Sequence, residues 1–364
     1  MTLTNDAATV DEQEMRDTVH AVRSEFDATF TWDYERSRVP LSKLYEKAKT
    51  SQWNASTDLD WSIDVDPEKV ASELGIGTSD RFGSLRDYPN SPVKNFGDKE
   101  WLELAVNLQS SLLSQFLHGE QGALLCTARI TETVPWIDAK YYAATQVMDE
   151  ARHVEVFARY LDEKMQRQFR INDNLKSLLD DILADSRWDI TYLGMQIMVE
   201  GLALAAFGMM HMITSEPLLK KLLRYVMSDE ARHVAFGVLS LQEFYANLTA
   251  AELKERQEFA FDTARRLQRR FMQSEVWERM GVDPNSVARI LDEVNPPAQQ
   301  QFQTMLFSKI VPNCKKLGLI DAGDGWLRDR FTEIGVIQFE DWADTGEEYA
   351  LLDEVAKDRS ASAG

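Results

Sequence analysis

The chain is poor in the residues that cross-link or membrane-anchor a protein. It has two cysteines, Cys126 and Cys314, in 364 residues. They cannot form a disulfide framework and neither lies in a CxxC motif, so a reducing, cytoplasmic location is expected. Positive charge is also scarce: 40 Lys and Arg stand against 60 Asp and Glu, a formal net charge of −20. That balance excludes nucleic acid as the main partner and disfavours anionic lipid, because both need a basic surface. The first residues, MTLTNDAATVDEQEM, carry no basic region followed by an apolar one, so no secretory signal is expected. There is one long apolar run, residues 193–213 (LGMQIMVEGLALAAFGMMHMI), with a single carboxylate, Glu200. A run of that length can span a bilayer. It lacks aromatic belts on both flanks and no second span follows, so it reads as the buried central helix of a bundle. No convincing run of alternating strand residues appears.

What is present is helical patterning nearly throughout. Met15, Val19, Val22, Phe26 and Phe30 predict an amphipathic helix over about 11–30, and LSKLYEKAKTSQW a shorter one. Asp66-Pro67-Glu68 reads as a helix start and Gly75 and Gly77 as its end. Residues 78–97, rich in Gly, Pro, Asn, Ser and Asp, read as an irregular connection. From Asp98 long helices follow: an apolar stripe from Trp101 through Phe116, a second helix over about 139–167, a third over about 186–214, and a fourth opened by Ser215-Glu216-Pro217. Thr249 and Glu252 fit a capping box for a fifth, Asp283-Pro284 and Asn295-Pro296-Pro297 punctuate later segments, and KDRSASAG reads as a frayed tail. The expected organisation is an N-terminal helical extension and connection (1–97), a four-helix bundle (98–250), and C-terminal helices and tail packed on it (251–364).

DEARHV occurs twice, at 149–154 and 229–234. In each copy Glu and His are three residues apart, hence on one helix face: Glu150 with His153, Glu230 with His233. A lone Glu precedes each copy by 30 positions, Glu120 before Glu150 and Glu200 before Glu230. Thirty residues is the length of an antiparallel hairpin that rises about 15 residues, roughly 22 Å, and returns to the same height. The midpoints of the two intervals are Pro135 and Ser215, so the helix breakers stand where the turns must be. Two such hairpins packed together bring four Glu and two His to one level inside the core.

Four buried carboxylates are prohibitively costly unless neutralised, and two divalent cations supply the compensating charge. Carboxylate with imidazole, and no thiolate, suits iron or manganese. A lone Glu from each of two helices plus Glu-x-x-His from each of two others is the ligand set of dinuclear carboxylate bundles. A single ExxH is weak, since helix surfaces carry many such pairs; two in register with two lone Glu are not. On these residues the chain resembles the ferritin-like di-iron carboxylate superfamily, in the branch of oxygenases, desaturases and ribonucleotide reductase small subunits. The likeness covers about residues 98–247, and the DEARH form is especially similar to bacterial multicomponent monooxygenases.

The resemblance implies an all-α ferritin-like bundle holding two iron ions, or a Mn/Fe pair. Glu120, Glu150 and His153 would hold one ion and Glu200, Glu230 and His233 the other, with Glu150 and Glu230 bridging. Asp149 and Asp229 would support the histidines, as an adjacent carboxylate usually does, with Arg152 and Arg232 balancing those acids. The implied activity is dioxygen-dependent hydroxylation, N-oxygenation or desaturation of an apolar organic substrate. Electrons would come from a reductase or ferredoxin, and the assembly would be a homodimer.

Three departures bear on the chemistry. Phe157 stands where ribonucleotide reductase small subunits store a tyrosyl radical. Ala203 and Leu204 replace the Thr of several monooxygenases and desaturases. Val226 replaces the third His of aryl-amine N-oxygenases. A radical-generating or Mn/Fe oxidase subunit is the alternative reading, and an iron-storing ferroxidase a third, disfavoured by about 200 residues outside the four helices. Helix geometry predicts a pocket lined by Phe116, Ala123, Leu124, Thr127, Phe157, Ala203, Phe207 and Met227. His20, His118 and His211 and Cys126 are expected in ordinary packing or surface roles.

Overall fold

A computed structural model describes residues 20–73, 84–294 and 304–346. Among them there is no strand. The helices are α1 (Val39–Thr50), α2 (Pro67–Glu73), α3 (Asp98–Thr133), α4 (Ile137–Tyr160), α5 (Asp173–Ala184), α6 (Trp188–Tyr192), α7 (Glu200–Ile213), α8 (Pro217–Tyr245), α9 (Ala250–Arg269), α10 (Ser274–Arg279), α11 (Pro284–Val294), α12 (Ile310–Lys316) and α13 (Trp326–Glu333).

Two antiparallel hairpins form the centre. In the first, α3 ends at Thr133 and α4 begins at Ile137, with Pro135 in the break. In the second, α7 ends at Ile213 and Pro217 opens α8. There the side chain of Glu216 accepts hydrogen bonds from the Leu218 and Leu219 amides (2.8 and 2.6 Å), satisfying two of the orphan donors of the first turn. α1 lies against α4 and α8, and α9 against α5 and the segment before α7. The predicted starts behave as expected. Asp66 accepts from the Glu68 amide at 2.9 Å, and Thr249 and Glu252 form a reciprocal capping box.

The apolar run is buried: within the continuous helical stretch Trp188–Ile213, 89% of the most apolar window is covered by the rest of the protein. This stretch is not regular. Residues Leu193–Val199 form a π-helix that ends directly before Glu200, and a second π-turn, Leu161–Met165, follows α4. π-turns are rare and recur at functional sites, because the extra residue per turn re-aims the side chains around it.

One expectation fails. The described part of the predicted 11–30 helix, from His20 onward, is not helical. It runs as an extended arm along the bundle. At the end of α3 and the turn after it, the Thr29 amide donates to Glu132 O at 2.8 Å and the Thr31 hydroxyl donates to Pro135 O at 2.6 Å. Phe26 lies under the Arg129 guanidinium at 4.4 Å. A tertiary contact takes up the Thr29 amide that a free helix would have paired internally. Residues 78–83 of the predicted connection, the glycines at 75 and 77, the 295–297 punctuation and the C-terminal tail lie outside the described residues. In the remainder of the connection, residues 84–87 form one helical turn.

Candidate metal centre

The six residues picked out by spacing converge. Glu120 comes from α3, Glu150 and His153 from α4, Glu200 from the start of α7, and Glu230 and His233 from α8; all six are buried. Two overlapping sets could each hold a cation: Glu120, Glu150, His153 and Glu230, and Glu150, Glu200 and His233. His153 Nδ1 lies 3.2 Å from Glu120, 3.5 Å from Glu150 and 3.1 Å from Glu230. His233 Nδ1 lies 3.1 Å from Glu150 and 3.6 Å from Glu230. Glu150 therefore belongs to both sets, and Glu230 stands between the two imidazoles.

The opposite ring nitrogens reveal a crossover that adjacency in sequence does not suggest. His153 Nε2 is 3.2 Å from Asp229 on α8, and His233 Nε2 is 3.3 Å from Asp149 on α4. Each DEARH motif thus supplies the carboxylate that holds the other motif's histidine. With Nε2–H donated outward, the Nδ1 lone pair of each ring faces the four glutamates, the tautomer that a metal needs. The two arginines tie the crossover together. Arg152 donates to Asp149 and, at 3.2 Å, to Asp229; Arg232 donates to Asp229 and lies 3.7 Å from Asp149. Two buried acids are matched by two buried bases.

The donor set fits a pair of cations. Glu150 Oε2, Glu200 Oε2, both oxygens of Glu230 and Nδ1 of His233 are buried and make no hydrogen bond. Dry acceptors of this kind are costly unless something positive sits among them. The electrostatics agree. Burial, then the neighbouring Glu230, holds Glu120 well above the usual carboxylate range; burial, then Glu150, does the same to Glu200. Glu150 is held low: burial opposes its ionisation, but His233 and His153 outweigh it. Both imidazoles are held above their usual range, burial being overcome by Glu120 for His153 and by Glu150 for His233. Protons occupy the place that two divalent ions would fill.

Several participants had little or no sequence signal. Gln146, one turn before Glu150, donates to Glu150 at 2.9 Å and to Glu200 at 3.1 Å, tying the two hairpins across the centre; a polar residue at i−4 on the ligand face was the available clue. Trp53 Nε1 donates to Asp229 at 2.7 Å, and Gln52 donates to Asp149 at 3.1 Å while accepting from Arg152. Both follow α1, far away in sequence, and nothing local marks them. Trp53 also stacks on Tyr225 with ring centres 4.9 Å apart.

A cavity of about 20 Å³ adjoins the centre, lined by Glu120, Glu200 and Glu230 together with Phe116, Ala123 and Ala203. Gln115, Gly119, Met195, Val199 and Arg270 complete the lining and were not anticipated. The π-turn explains two of them. A regular helix would put Gln196 and Ile197 on the Glu200 face; the wider turn brings Met195, five residues back, and Val199 there instead.

Five predicted pocket residues lie elsewhere. Phe157 and Phe207 are buried beyond the lining and pack with Phe116, at centroid distances of 6.1 and 4.6 Å from it. Leu124 is half-exposed. Thr127, nearly two turns past Glu120, is buried outside the lining. Met227 lies towards Gly208. On α3 the lining runs from Gln115 to Ala123, about one turn to either side of Glu120, so the helix-face extrapolation to Thr127 passes its end. Of the remaining histidines, His20 pairs with Asp180 at 2.9 Å and His118 with Phe169 O at 2.9 Å, while His211 is half-buried away from the centre. Cys126 is buried, and burial raises its thiol pKa.

Residues 131–318 match the family described as P-aminobenzoate N-oxygenase AurF. No curated protein matches the chain. Among solved structures, one similar chain is a variant R2-like ligand-binding oxidase with an anaerobically reconstituted Mn/Fe cofactor: 20% identity, 78% of this chain and 94% of that one covered, TM-score 0.49. Another variant of the same oxidase gives 21% identity, 79% and 96% coverage, and TM-score 0.47.

Proposed function

The chain belongs to the P-aminobenzoate N-oxygenase AurF family, and from that premise we propose that it oxidises a small, largely apolar organic substrate with dioxygen at a pair of metal ions held by Glu120, Glu150, His153, Glu200, Glu230 and His233. It is a non-haem di-iron oxygenase or oxidase of the all-α ferritin-like class, and its cofactor is two iron ions or a Mn/Fe pair. The observation that carries the ligand assignment is the crossover: both Nδ1 atoms face the four glutamates because both Nε2 atoms are held by aspartates from the opposite hairpin.

Bound there, the metal pair supplies the activation of dioxygen and the oxidising power. The protein's own groups set the conditions. Asp149 and Asp229 hold the rings in one tautomer and orientation. Gln146 holds Glu150 and Glu200 at a common level. Phe116, with Phe157 and Phe207 behind it, keeps water from one side of the centre. Met195, Val199, Ala123 and Ala203 offer an apolar surface to the substrate. Electrons come from a reductase or ferredoxin. Trp53, hydrogen-bonded to the carboxylate that holds His153 and stacked on Tyr225, offers them a conjugated ring at the edge of the network.

Val226, buried one turn before the last motif, supplies no seventh ligand, so the centre of this chain rests on six. Phe157 carries no hydroxyl, which weighs against a stored radical at that position. The test is metal content and dioxygen uptake of the wild type and Glu200→Ala. The wild type takes up two metal ions per chain under anaerobic loading and consumes dioxygen on mixing. Glu200→Ala loses at least one ion and that uptake. Fewer than one ion per wild-type chain overturns the reading, and unchanged uptake in the variant removes Glu200 from the ligand set.

A further inference from the structure

The aromatic residues on the two sides of the metal centre differ in kind. On the cavity side Phe116 packs with Phe157 and Phe207, and among the described residues no tyrosine or tryptophan lines the cavity. Along α4, Phe157 comes four residues after His153, whereas Tyr142 comes eight before Glu150, so the two rings lie on opposite sides of the ligands. From Tyr142 a file of rings leads away from the centre. Its ring centre is 4.4 Å from that of Phe236, which is 5.1 Å from Tyr192, which is 5.5 Å from Trp188. Tyr142, Phe236 and Tyr192 are buried, and Trp188 is half-buried at the surface.

The inner end meets the ligand network. Tyr142, Gln146 and Glu150 follow one another at four-residue steps on one face of α4, and Gln146 donates to Glu150 and Glu200. Phe236 stands one turn past His233 on α8. Tyr142 is also close enough to Arg232 and His233 to act on both electrostatically. The outer end, Trp188, comes 12 residues before Glu200, at most about 18 Å along the helix axis. Trp136 packs edge-on against Trp188 at 5.2 Å, with the Arg38 guanidinium 4.4 Å above it. Positive charge over a ring opposes the loss of an electron, so Trp188 is easier to oxidise than Trp136. The file is separate from Trp53, which meets the centre through Asp229.

We propose that this file is a protective electron path: when dioxygen has oxidised the metal pair and the cavity holds no substrate, one electron passes from Trp188 through the rings of Tyr192, Phe236 and Tyr142 to the pair. This rests on the oxygenase reading above. Indole and phenol give up an electron far more readily than a phenyl ring, so the side that holds only Phe is spared and the opposite side supplies the electron. Trp188 loses that electron and then its indole N–H proton to solvent, and the metal pair is reduced by the same electron. A small solution reductant, a thiol or ascorbate, returns one electron to the indolyl radical, and water returns the proton. Without a reductant, dioxygen traps the radical and leaves hydroxytryptophan or kynurenine at Trp188. With Trp188 gone, the oxidising equivalent stays at the cavity, where the Met195 thioether is oxidised to a sulfoxide.

Peptide mass spectrometry tests this on the full-length, ferrous-loaded protein mixed with dioxygen, without substrate or reductant. In the wild type Trp188 is modified more than Trp32 and Trp342, although those two are 75% and 51% exposed and a diffusing oxidant would meet them first. Tyr192→Leu opens a gap in the file, so modification of Trp188 falls to the level of Trp342 and sulfoxide at Met195 rises. Trp188→Phe also raises sulfoxide at Met195; it keeps a ring at a half-buried position, so it decides the matter where Tyr192→Leu does not fold. The path is overturned if Trp188 is modified no more than Trp32 and Trp342, if sulfoxide at Met195 does not rise in Trp188→Phe, or if modification of Trp188 is unchanged in folded Tyr192→Leu. Iron content and dioxygen uptake are recorded on the same samples. Two irons with uptake but no selective modification of Trp188 reject the path and leave the oxygenase reading standing; failure to load iron rejects that reading and the path with it.

Discussion

Asp229→Asn probes the crossover most directly. Asp229 receives Trp53 Nε1 at 2.7 Å, Arg152 at 3.2 Å, Arg232, and His153 Nε2 at 3.2 Å. Asparagine keeps the shape and removes the charge. Two buried arginines then face one aspartate, leaving one positive charge unmatched. Breaking a buried pair in this way costs about 3–5 kcal/mol, and the isosteric change belongs at the lower end. Unfolding entropy of about 2 cal/mol/K per residue over 364 residues converts 3 kcal/mol to a fall of about 4 °C in melting temperature. Loss of the carboxylate behind a histidine ligand also lowers metal affinity about 10- to 100-fold.

The discriminating assay is histidine ring NMR on the metal-free protein. Asp229→Asn shifts the ring nitrogens of His153 and leaves those of His233 near their wild-type positions; Asp149→Asn does the reverse. A chelator-competition titration of each variant reads the affinity loss. The crossover is refuted if Asp229→Asn perturbs His233 rather than His153, or leaves both rings and the metal affinity unchanged.

Other outcomes follow from the same geometry. Gly119→Leu fills open space beside the cavity, so full metal loading persists while acceleration of dioxygen uptake by an added small organic substrate is lost; lost metal would show that the side chain reaches Glu120 instead. Metal uptake near neutral pH releases protons, because Glu120, Glu200 and both histidines are held above their usual ranges in the metal-free centre. A pH-stat reads the release, and affinity falls as pH falls. For the metal-free protein the sign is opposite. Groups with raised folded values contribute stability that is complete below their unfolded values and is lost as pH rises through the folded ones. From about pH 4.5, the ordinary glutamate value, upward, and more steeply above about pH 6.5, the ordinary histidine value, the metal-free protein therefore loses melting temperature while the loaded protein does not.

The six candidate ligands are legible in the amino-acid order because they depend on helix periodicity alone. A 30-residue interval with a breaker at its midpoint returns a chain to its starting height whatever surrounds it, and ExxH places two groups on one face. The helix starts at Asp66-Pro67, Glu216-Pro217 and Thr249 are legible for a similar reason, since caps act over three or four residues. The same local logic misreads 11–30, whose described part instead docks on the end of α3 and the turn after it through Phe26 and Thr29.

Tertiary structure decided everything that joins segments distant in sequence. Which aspartate holds which histidine is a matter of how α4 crosses α8, and the motif's own adjacency points to the wrong partner. Trp53 reaches Asp229 across 176 positions and Gln52 reaches Asp149 across 97, distances over which no periodicity carries information. The π-turn before Glu200 re-aims Met195 and Val199 by one residue per turn, a shift invisible to a pattern drawn on 3.6. Arg270 reaches the cavity only because α9 delivers it there from outside the four bundle helices, and which distant segments meet is a property of the packed chain.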